Sequence, residues 1–267
     1  MKAVKWTPDK IRGLKGKAKV VCVTAYDFTT ARYADAAGMH LILVGDSLAT
    51  TVLGYANTIP VTVSQMLHHT AAVSRGAGTA MVVADMPFMS YQVSTEQALA
   101  NAARFIKKAG ADAVKLEGGA LRADTIRSLV KNGIPVLGHI GLTPQTVLQT
   151  GGYKVQGKTD ASIEALLADA RAVEQAGAFA LVVECVPRAV GKLISETVSI
   201  PTIGIGAGPD CDGQILVSHD LLGLSGSTVP RFVKQYADLG SRITTALDQY
   251  RREVESGTFP SDEHCYG

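Results

Sequence analysis

The chain has 267 residues, 46% of them hydrophobic and 19% charged, with 26 Lys and Arg against 24 Asp and Glu. A net charge of +2 excludes the one-signed excess that marks nucleic-acid and acidic-membrane binders, and the apolar content excludes disorder. Such a length fills one α/β barrel of about 250 residues, or two smaller domains, and needs neither metal nor disulfide to bury a core.

Residues 1–19 hold seven Lys or Arg and one acid, without the apolar stretch of a secretory signal. Cys22, Cys185, Cys211 and Cys265 lie far apart and form no CxxC, which argues against a disulfide framework or a zinc knuckle. The longest apolar runs, such as Ala178–Val183, are too short to span a membrane. A cytoplasmic protein is expected, with no nucleic-acid or membrane partner.

Eight β-rich runs follow in chain order: Val20–Tyr26, Leu41–Ser47, Met81–Pro87, Ala113–Gly119, Pro135–Leu142, Ala180–Val186, Thr202–Gly208 and Gln214–Leu221. Helical patterns separate most of them, for example Thr95–Ala109, Arg122–Lys131 and Ala161–Ala176. Ala37-Gly38, Ala109-Gly110 and Ala176-Gly177 each read as a helix C-cap feeding a strand. Strands alternating with helices imply parallel pairing with right-handed crossovers, and eight of them suggest closure into a (β/α)8 TIM barrel. The gap between the seventh and eighth strands is too short for a helix, so a doubly wound open sheet stays a competing reading. The expected organisation is a single barrel domain over 1–267, with segment 1–19 ahead of the first strand and a helical segment about 229–255 plus tail. Between the fifth strand and the next helix lies Thr143–Asp160, an aperiodic connection; its length suits a functional lid or a plain surface excursion.

The informative pattern is where the acids sit. Asp46, Asp85, Glu117 and Glu184 each fall at the end of a strand, the rim on which barrel active sites are built. Such acids are costly inside apolar strands unless paired or metal-bound, and several at one mouth repel unless a cation neutralises them. The natural cation for oxygen donors is Mg²⁺. The competing view is that each acid caps a helix or pairs with an Arg.

Lys115 and Glu117 share a strand face, so an inward Glu117 puts Lys115 inward one layer below, paired with Glu117 or facing an anionic substrate. The same parity turns Glu184 inward and Cys185 outward. His139, between glycines at the end of the fifth strand, suits hydrogen bonding to a substrate oxyanion, or is a satisfied structural His. His68-His69 reads as helix-borne and structural, and His219 is left open. Gly204–Gly208 lacks the full dinucleotide fingerprint, and Asp46-Ser47 lacks a GxSxG elbow. Ser47 more naturally offers its hydroxyl or N–H to a bound carboxylate.

Several of these segments carry a family resemblance. Val23–Asp27, Val44–Ser47, Asp85–Tyr91, Val114–Gly119, Gly138–Gln145, Gly151–Gly157, Ile203–Gly208, Cys211–Gln214 and His219–Gly223 together resemble the ketopantoate hydroxymethyltransferases, in order and without large gaps. The resemblance implies a (β/α)8 barrel of the phosphoenolpyruvate/pyruvate type, a step in pantothenate biosynthesis, and a cytoplasmic homo-oligomer, typically a decamer. It implies Asp46, Asp85 and Glu117 as Mg²⁺ ligands and Asp46, Ser47, Asp85 and Lys115 as 2-oxo-acid contacts. Glu184 falls on the catalytic base and His139 on a supporting active-site His. The implied reaction joins 3-methyl-2-oxobutanoate to the one-carbon unit of 5,10-methylenetetrahydrofolate. Two rivals stand beside it: another Mg²⁺-dependent 2-oxo-acid lyase or aldolase without folate, and a non-catalytic metal-stabilised barrel.

Overall fold

The computed structural model describes residues 4–226 and 229–267. They fall into two compact units, Met1–Val217 and Ser218–Gly267, at a point that no linker composition marks.

In the first unit the apolar runs form strands β1 (Val20–Thr24), β2 (Leu41–Val44), β3 (Met81–Asp85), β4 (Ala113–Glu117), β5 (Val136–Gly141), β6 (Ala180–Glu184), β7 (Thr202–Ile205) and β8 (Gly213–Leu216). All neighbours pair in parallel and in sequence order, and β8 pairs back onto β1. That closure rules out the open doubly wound sheet. Helices α1 (Pro8–Arg12), α2 (Phe28–Ala36), α3 (Leu48–Thr51), α4 (Val63–Gly76), α5 (Thr95–Ala109), α6 (Ala123–Lys131), α7 (Val147–Thr150), α8 (Asp160–Gln175) and α9 (Arg188–Thr197) precede or separate the strands.

Helix α5 shows how the sequence specifies the outer layer. The Ser94 hydroxyl accepts the Gln97 N–H and caps the first turn. Ala98, Ala102, Phe105 and Ala109 recur on one face and are buried, while Lys107 and Lys108 lie in the last turn. Burying Phe105 contributes roughly 2–3 kcal/mol. Gly110 then stops the helix in a left-handed conformation, its N–H donated to the Phe105 carbonyl. Gly38 and Gly177, the other two expected stop signals, also have positive φ.

The strands alternate between two cores. Val20, Leu41, Leu43, Met81, Val83, Ala113, Leu137 and Val182 fill the barrel interior. Ile42, Val44, Val82, Ala84, Val114 and Leu116 face the helices. The period of two therefore places Asp85 above Val83, Lys115 and Glu117 above Ala113, His139 above Leu137, and Glu184 above Val182. At the opposite end Ile11 joins the interior cluster, and the Arg12 guanidinium donates to the Gly177 and Ala178 carbonyls just ahead of β6. The N-terminal segment thus stoppers the end away from the acids.

The chain passes from β7 to β8 without a helix among the described residues, held by Asp212, whose Oδ2 accepts from the Thr202 N–H and from Lys15 Nζ. The eighth strand ends at Leu216 rather than Leu221. Ser218 and Asp220 favour a local turn over a ladder, and Ser218–Leu221 forms the helical turn α10 of the second unit.

In the second unit the helix expected over about 229–255 is α11 (Leu239–Glu255). Asp238 sets its start by accepting the Ser241 N–H, and Pro230 stands in the non-helical stretch before it. The helix surface carries Arg251–Glu255 and Arg252–Asp248 pairs one turn apart. The four cysteines are free. Among the described residues no helix is long and apolar enough to cross a membrane.

Candidate active site

All seven residues singled out from the sequence line one cavity of about 110 Å³ at the carboxyl ends of the strands: Asp46, Ser47, Asp85, Lys115, Glu117, His139 and Glu184. Asp46 and Ser47 occupy the turn between β2 and α3, and the other five sit on β3, β4, β5 and β6. Asp46, Asp85, Lys115, Glu117 and His139 are each at most 4% exposed. Burial on that scale forces every charge to find a partner.

Lys115 finds Asp85. Its Nζ lies 2.9 Å from both carboxylate oxygens across the β3–β4 register. The pairing with Glu117 expected as one option does not form; Asp85 is the register partner and lies at the same height. Burial alone would lower the Lys115 pKa, but the charges of Asp85, Glu117 and Asp46 outweigh it and hold the ammonium charged. Asp85 Oδ2 also accepts the Asp46 backbone N–H at 3.2 Å.

The Asp46 carboxyl is pushed well above its ordinary range, first by burial and then by the neighbouring Asp85 and Glu117 charges. His139 bridges the other two acids. Its Nε2 lies 3.1 Å from Glu184 Oε2 and its Nδ1 3.5 Å from Glu117 Oε1. Both are charge contacts, and His139 Nδ1, His139 Nε2 and Glu117 Oε1 keep no hydrogen-bond partner. Burial and Lys115 draw the imidazole pKa down, yet the Glu117 and Glu184 contacts prevail and raise it to about 9.

Glu184 is seated by tight backbone. Gly141 pairs with it across β5 and β6 at φ 96°, and a Cβ there would lie 2.2 Å from the Glu184 carbonyl oxygen. The next residue, Cys185, holds a left-handed φ of 53° and donates its N–H to the Ile205 carbonyl. Strain of that kind persists only where the surroundings enforce it.

The residues fit a hard divalent cation. Four carboxyl groups face two cationic side chains, so full ionisation of the acids would leave two negative charges for a cation to neutralise. Glu117 Oε1 is a buried oxygen without a hydrogen-bond partner, and the donors are carboxylate oxygens throughout. Among the described residues no three His, Cys, Asp or Glu side chains form a ready-made metal cage. A cation that keeps waters and substrate oxygens in its shell requires only one or two protein carboxylates.

Sequence reasoning missed the groups that hold the acids in place. Gln145 is 2% exposed and bonds to Asp46 through its amide and to Glu117 through its backbone. The Tyr26 hydroxyl lies 2.8 Å from Ser47 Oγ and accepts from Thr24 Oγ1. Thr58 lines the cavity with a buried Oγ1 that has no partner. A Gln directly after Thr-Pro past a strand end was the one legible signal; Tyr26 and Thr58 gave none. His68 and His69 lie on α4, where His69 Nδ1 donates to the Tyr26 carbonyl.

The Thr143–Asp160 connection is ordered at both ends. It opens with a tight turn at Pro144–Thr146 and α7, and the Gln156 N–H bonds to the Cys185 carbonyl. Burial, followed by the charges of Asp46, Glu184 and Glu117, pushes the Tyr153 phenol pKa up.

The 3-methyl-2-oxobutanoate hydroxymethyltransferase of Thermotoga neapolitana is 58% identical over 258 residues, covering 97% of this chain and 95% of its own. That of Syntrophus aciditrophicus is 53% identical over 266 residues, covering 99% and 98%. A solved phosphoenolpyruvate phosphomutase from Streptomyces platensis subsp. rosaceus shares the barrel with a TM-score of 0.64 at 15% identity, covering 98% of this chain and 92% of that one. The family model described as Ketopantoate hydroxymethyltransferase matches residues 5–262. On this match and these identities, the chain belongs to the ketopantoate hydroxymethyltransferase family.

Proposed function

We propose that the chain transfers a hydroxymethyl group from 5,10-methylenetetrahydrofolate to 3-methyl-2-oxobutanoate, giving 2-dehydropantoate and tetrahydrofolate in pantothenate biosynthesis. The observation that carries the reading is the cation-poor mouth, four carboxylates against Lys115 and His139, in a chain 58% identical to a relative named for this reaction.

Asp46, Asp85 and Glu117 are the residues that would hold Mg²⁺. Bound there, Mg²⁺ supplies positive charge where the 2-oxo oxygen gains electron density as C3 loses its proton. Ser47 and Lys115 offer a hydroxyl and a cation to the substrate carboxylate, with Tyr26 holding the Ser47 hydroxyl. Glu184, with a side chain 17% exposed in the mouth, removes the C3 proton as general base. His139, 3.1 Å away, holds the Glu184 carboxylate in place. Water cleaves both C–N bonds of the one-carbon unit, which only the folate can supply, and its two protons leave with the tetrahydrofolate nitrogens. The deprotonated C3 adds to that carbon at the formaldehyde level, and the new alkoxide takes back the proton held by Glu184 to become the hydroxymethyl group. The Thr143–Asp160 loop, with Pro144 lining the cavity, covers the folate side. The working form is read as a cytoplasmic homo-oligomer, a decamer, on the family resemblance.

Proton NMR of 3-methyl-2-oxobutanoate in D₂O with enzyme and Mg²⁺ tests the reading. The expected result is loss of the C3–H signal, then a hydroxymethyl resonance once 5,10-methylenetetrahydrofolate is added. Exchange without product points to a folate-free lyase or aldolase. No exchange overturns the enzymatic reading of the acid cluster.

A further inference from the structure

Asp46 and Glu117 come from the ends of β2 and β4, which are separated by β3 and share no backbone ladder. Strand register therefore does not fix how the two carboxylates stand to each other, and their like charges drive them apart. The carboxylate torsion of an Asp is also intrinsically broad. One residue reaches both. Gln145, in the turn after β5, donates its backbone N–H to Glu117 Oε2 at 3.1 Å and its amide Nε2 to Asp46 Oδ2 at 2.9 Å. The same Nε2 donates to the Met86 carbonyl just past β3 at 2.9 Å. A single buried residue, by side chain and backbone together, thus ties the ends of three strands.

The amide cannot point the other way. Its Oε1 accepts from the Tyr91 hydroxyl at 2.7 Å and from Gln92 Nε2 at 3.1 Å. The Tyr91 hydroxyl accepts the Glu117 backbone N–H at 3.1 Å and has Gln145 Oε1 at 2.7 Å and the Glu117 carbonyl at 3.3 Å as acceptors for its proton; the Met86 carbonyl, which only accepts, fixes the Nε2 end. Both donors and both acceptor sites of the carboxamide are then used, and the N–H end faces Asp46 by necessity. A Glu here would set an acceptor against an acceptor. An aliphatic residue would leave Asp46 Oδ2 and the Met86 carbonyl without their donor.

We propose that Gln145 is a positioning residue that presents Asp46 and Glu117 together to a divalent cation, an inference that rests on the Mg²⁺ reading above. It lies behind the residues that line the cavity and acts through the two carboxylates, as outer-shell partners do in other metal sites. Its place at the root of the Thr143–Asp160 loop also ties the start of that loop to the acids.

The test is a titration of the full-length protein with Mn²⁺ alone, following free Mn²⁺ by electron paramagnetic resonance. The wild type is expected to bind one Mn²⁺, and Gln145→Met to raise the Kd about tenfold or more with an unchanged circular dichroism spectrum. Gln92→Ala, which removes only the outer support of the Gln145 amide, is expected to raise it by a smaller factor. Turnover by Gln145→Met should recover toward the wild-type kcat as Mg²⁺ is raised, which a general packing defect would not allow. A folded Gln145→Met with the wild-type Kd overturns the assignment; if that variant does not fold, a wild-type Kd in Gln92→Ala overturns it instead. A wild type that binds no Mn²⁺ removes the metal reading itself, and this inference with it.

Discussion

Lys115 and Asp85 face each other in the β3–β4 register, with Lys115 Nζ 2.9 Å from both carboxylate oxygens and neither side chain more than 5% exposed. A buried pair of this kind adds little net stability over an apolar pair, but removing one member strands the other. Lys115→Met leaves four carboxylates with His139 alone. Urea unfolding in the presence of a chelator should show a loss of roughly 3 kcal/mol or more. A loss below about 1 kcal/mol, within the range of an exposed pair, would mean that Asp85 finds another partner.

Glu184→Gln keeps the shape and the contact with His139 but removes the base. Exchange at C3 of 3-methyl-2-oxobutanoate should fall roughly 10²- to 10⁴-fold. Mn²⁺ affinity should stay at the wild-type value, because Glu184 is not among the residues assigned to the metal. Full exchange in this variant would transfer the base role to another group.

Gly141 supports the same residue from the neighbouring strand. Alanine there meets the Glu184 carbonyl at 2.2 Å and must hold φ near 96°. Gly141→Ala is expected to cost roughly 1–3 kcal/mol from backbone strain. It should also lower C3 exchange by displacing Glu184. Stability and exchange are measured on the same sample, and a change in stability alone would detach Gly141 from the catalytic geometry.

Asp35 gives a pH signature away from the site. Its Oδ1 accepts N–H groups from Thr79 and Ala80, at 2.8 and 2.6 Å, ahead of β3. Burial raises its pKa somewhat, but these hydrogen bonds outweigh burial and hold the carboxyl below its ordinary value. A folded pKa below the unfolded one adds stability that is complete above the unfolded value, about 3.9, and is lost as pH falls through the folded value. The stability gap between wild type and Asp35→Asn should therefore be constant near neutrality and shrink as pH drops below about 4. A gap that is flat down to pH 2 would mean that Asp35 binds as well protonated as charged.

Much of this protein is legible in one dimension. Strand starts such as Val20, Met81 and Ala113 and helix limits such as Thr95–Ala109 follow from apolar periodicity and capping residues, which act over a few neighbouring positions. The inward aim of Asp85, Lys115, Glu117, His139 and Glu184 follows from strand parity, and their shared rim from the parallel barrel order. The limits of the last elements were less legible: Ser218–Leu221 turned helical, and α11 began at Leu239 because local side-chain bonds compete with extended or helical backbone there.

Partner choice was decided only by the tertiary structure. Sequence placed Lys115 inward but left Glu117 and a substrate as its partners; the β3–β4 register selected Asp85. Nothing local marked Tyr91 and Tyr26, and the Thr-Pro-Gln turn gave a place for Gln145 but not its partners Asp46 and Glu117, because those bonds span 21 to 99 positions of chain. Short-range patterning determined which side chains enter the mouth. Which of them meet was set by strand register and loop closure, which bring distant residues within hydrogen-bond reach only when the barrel is complete.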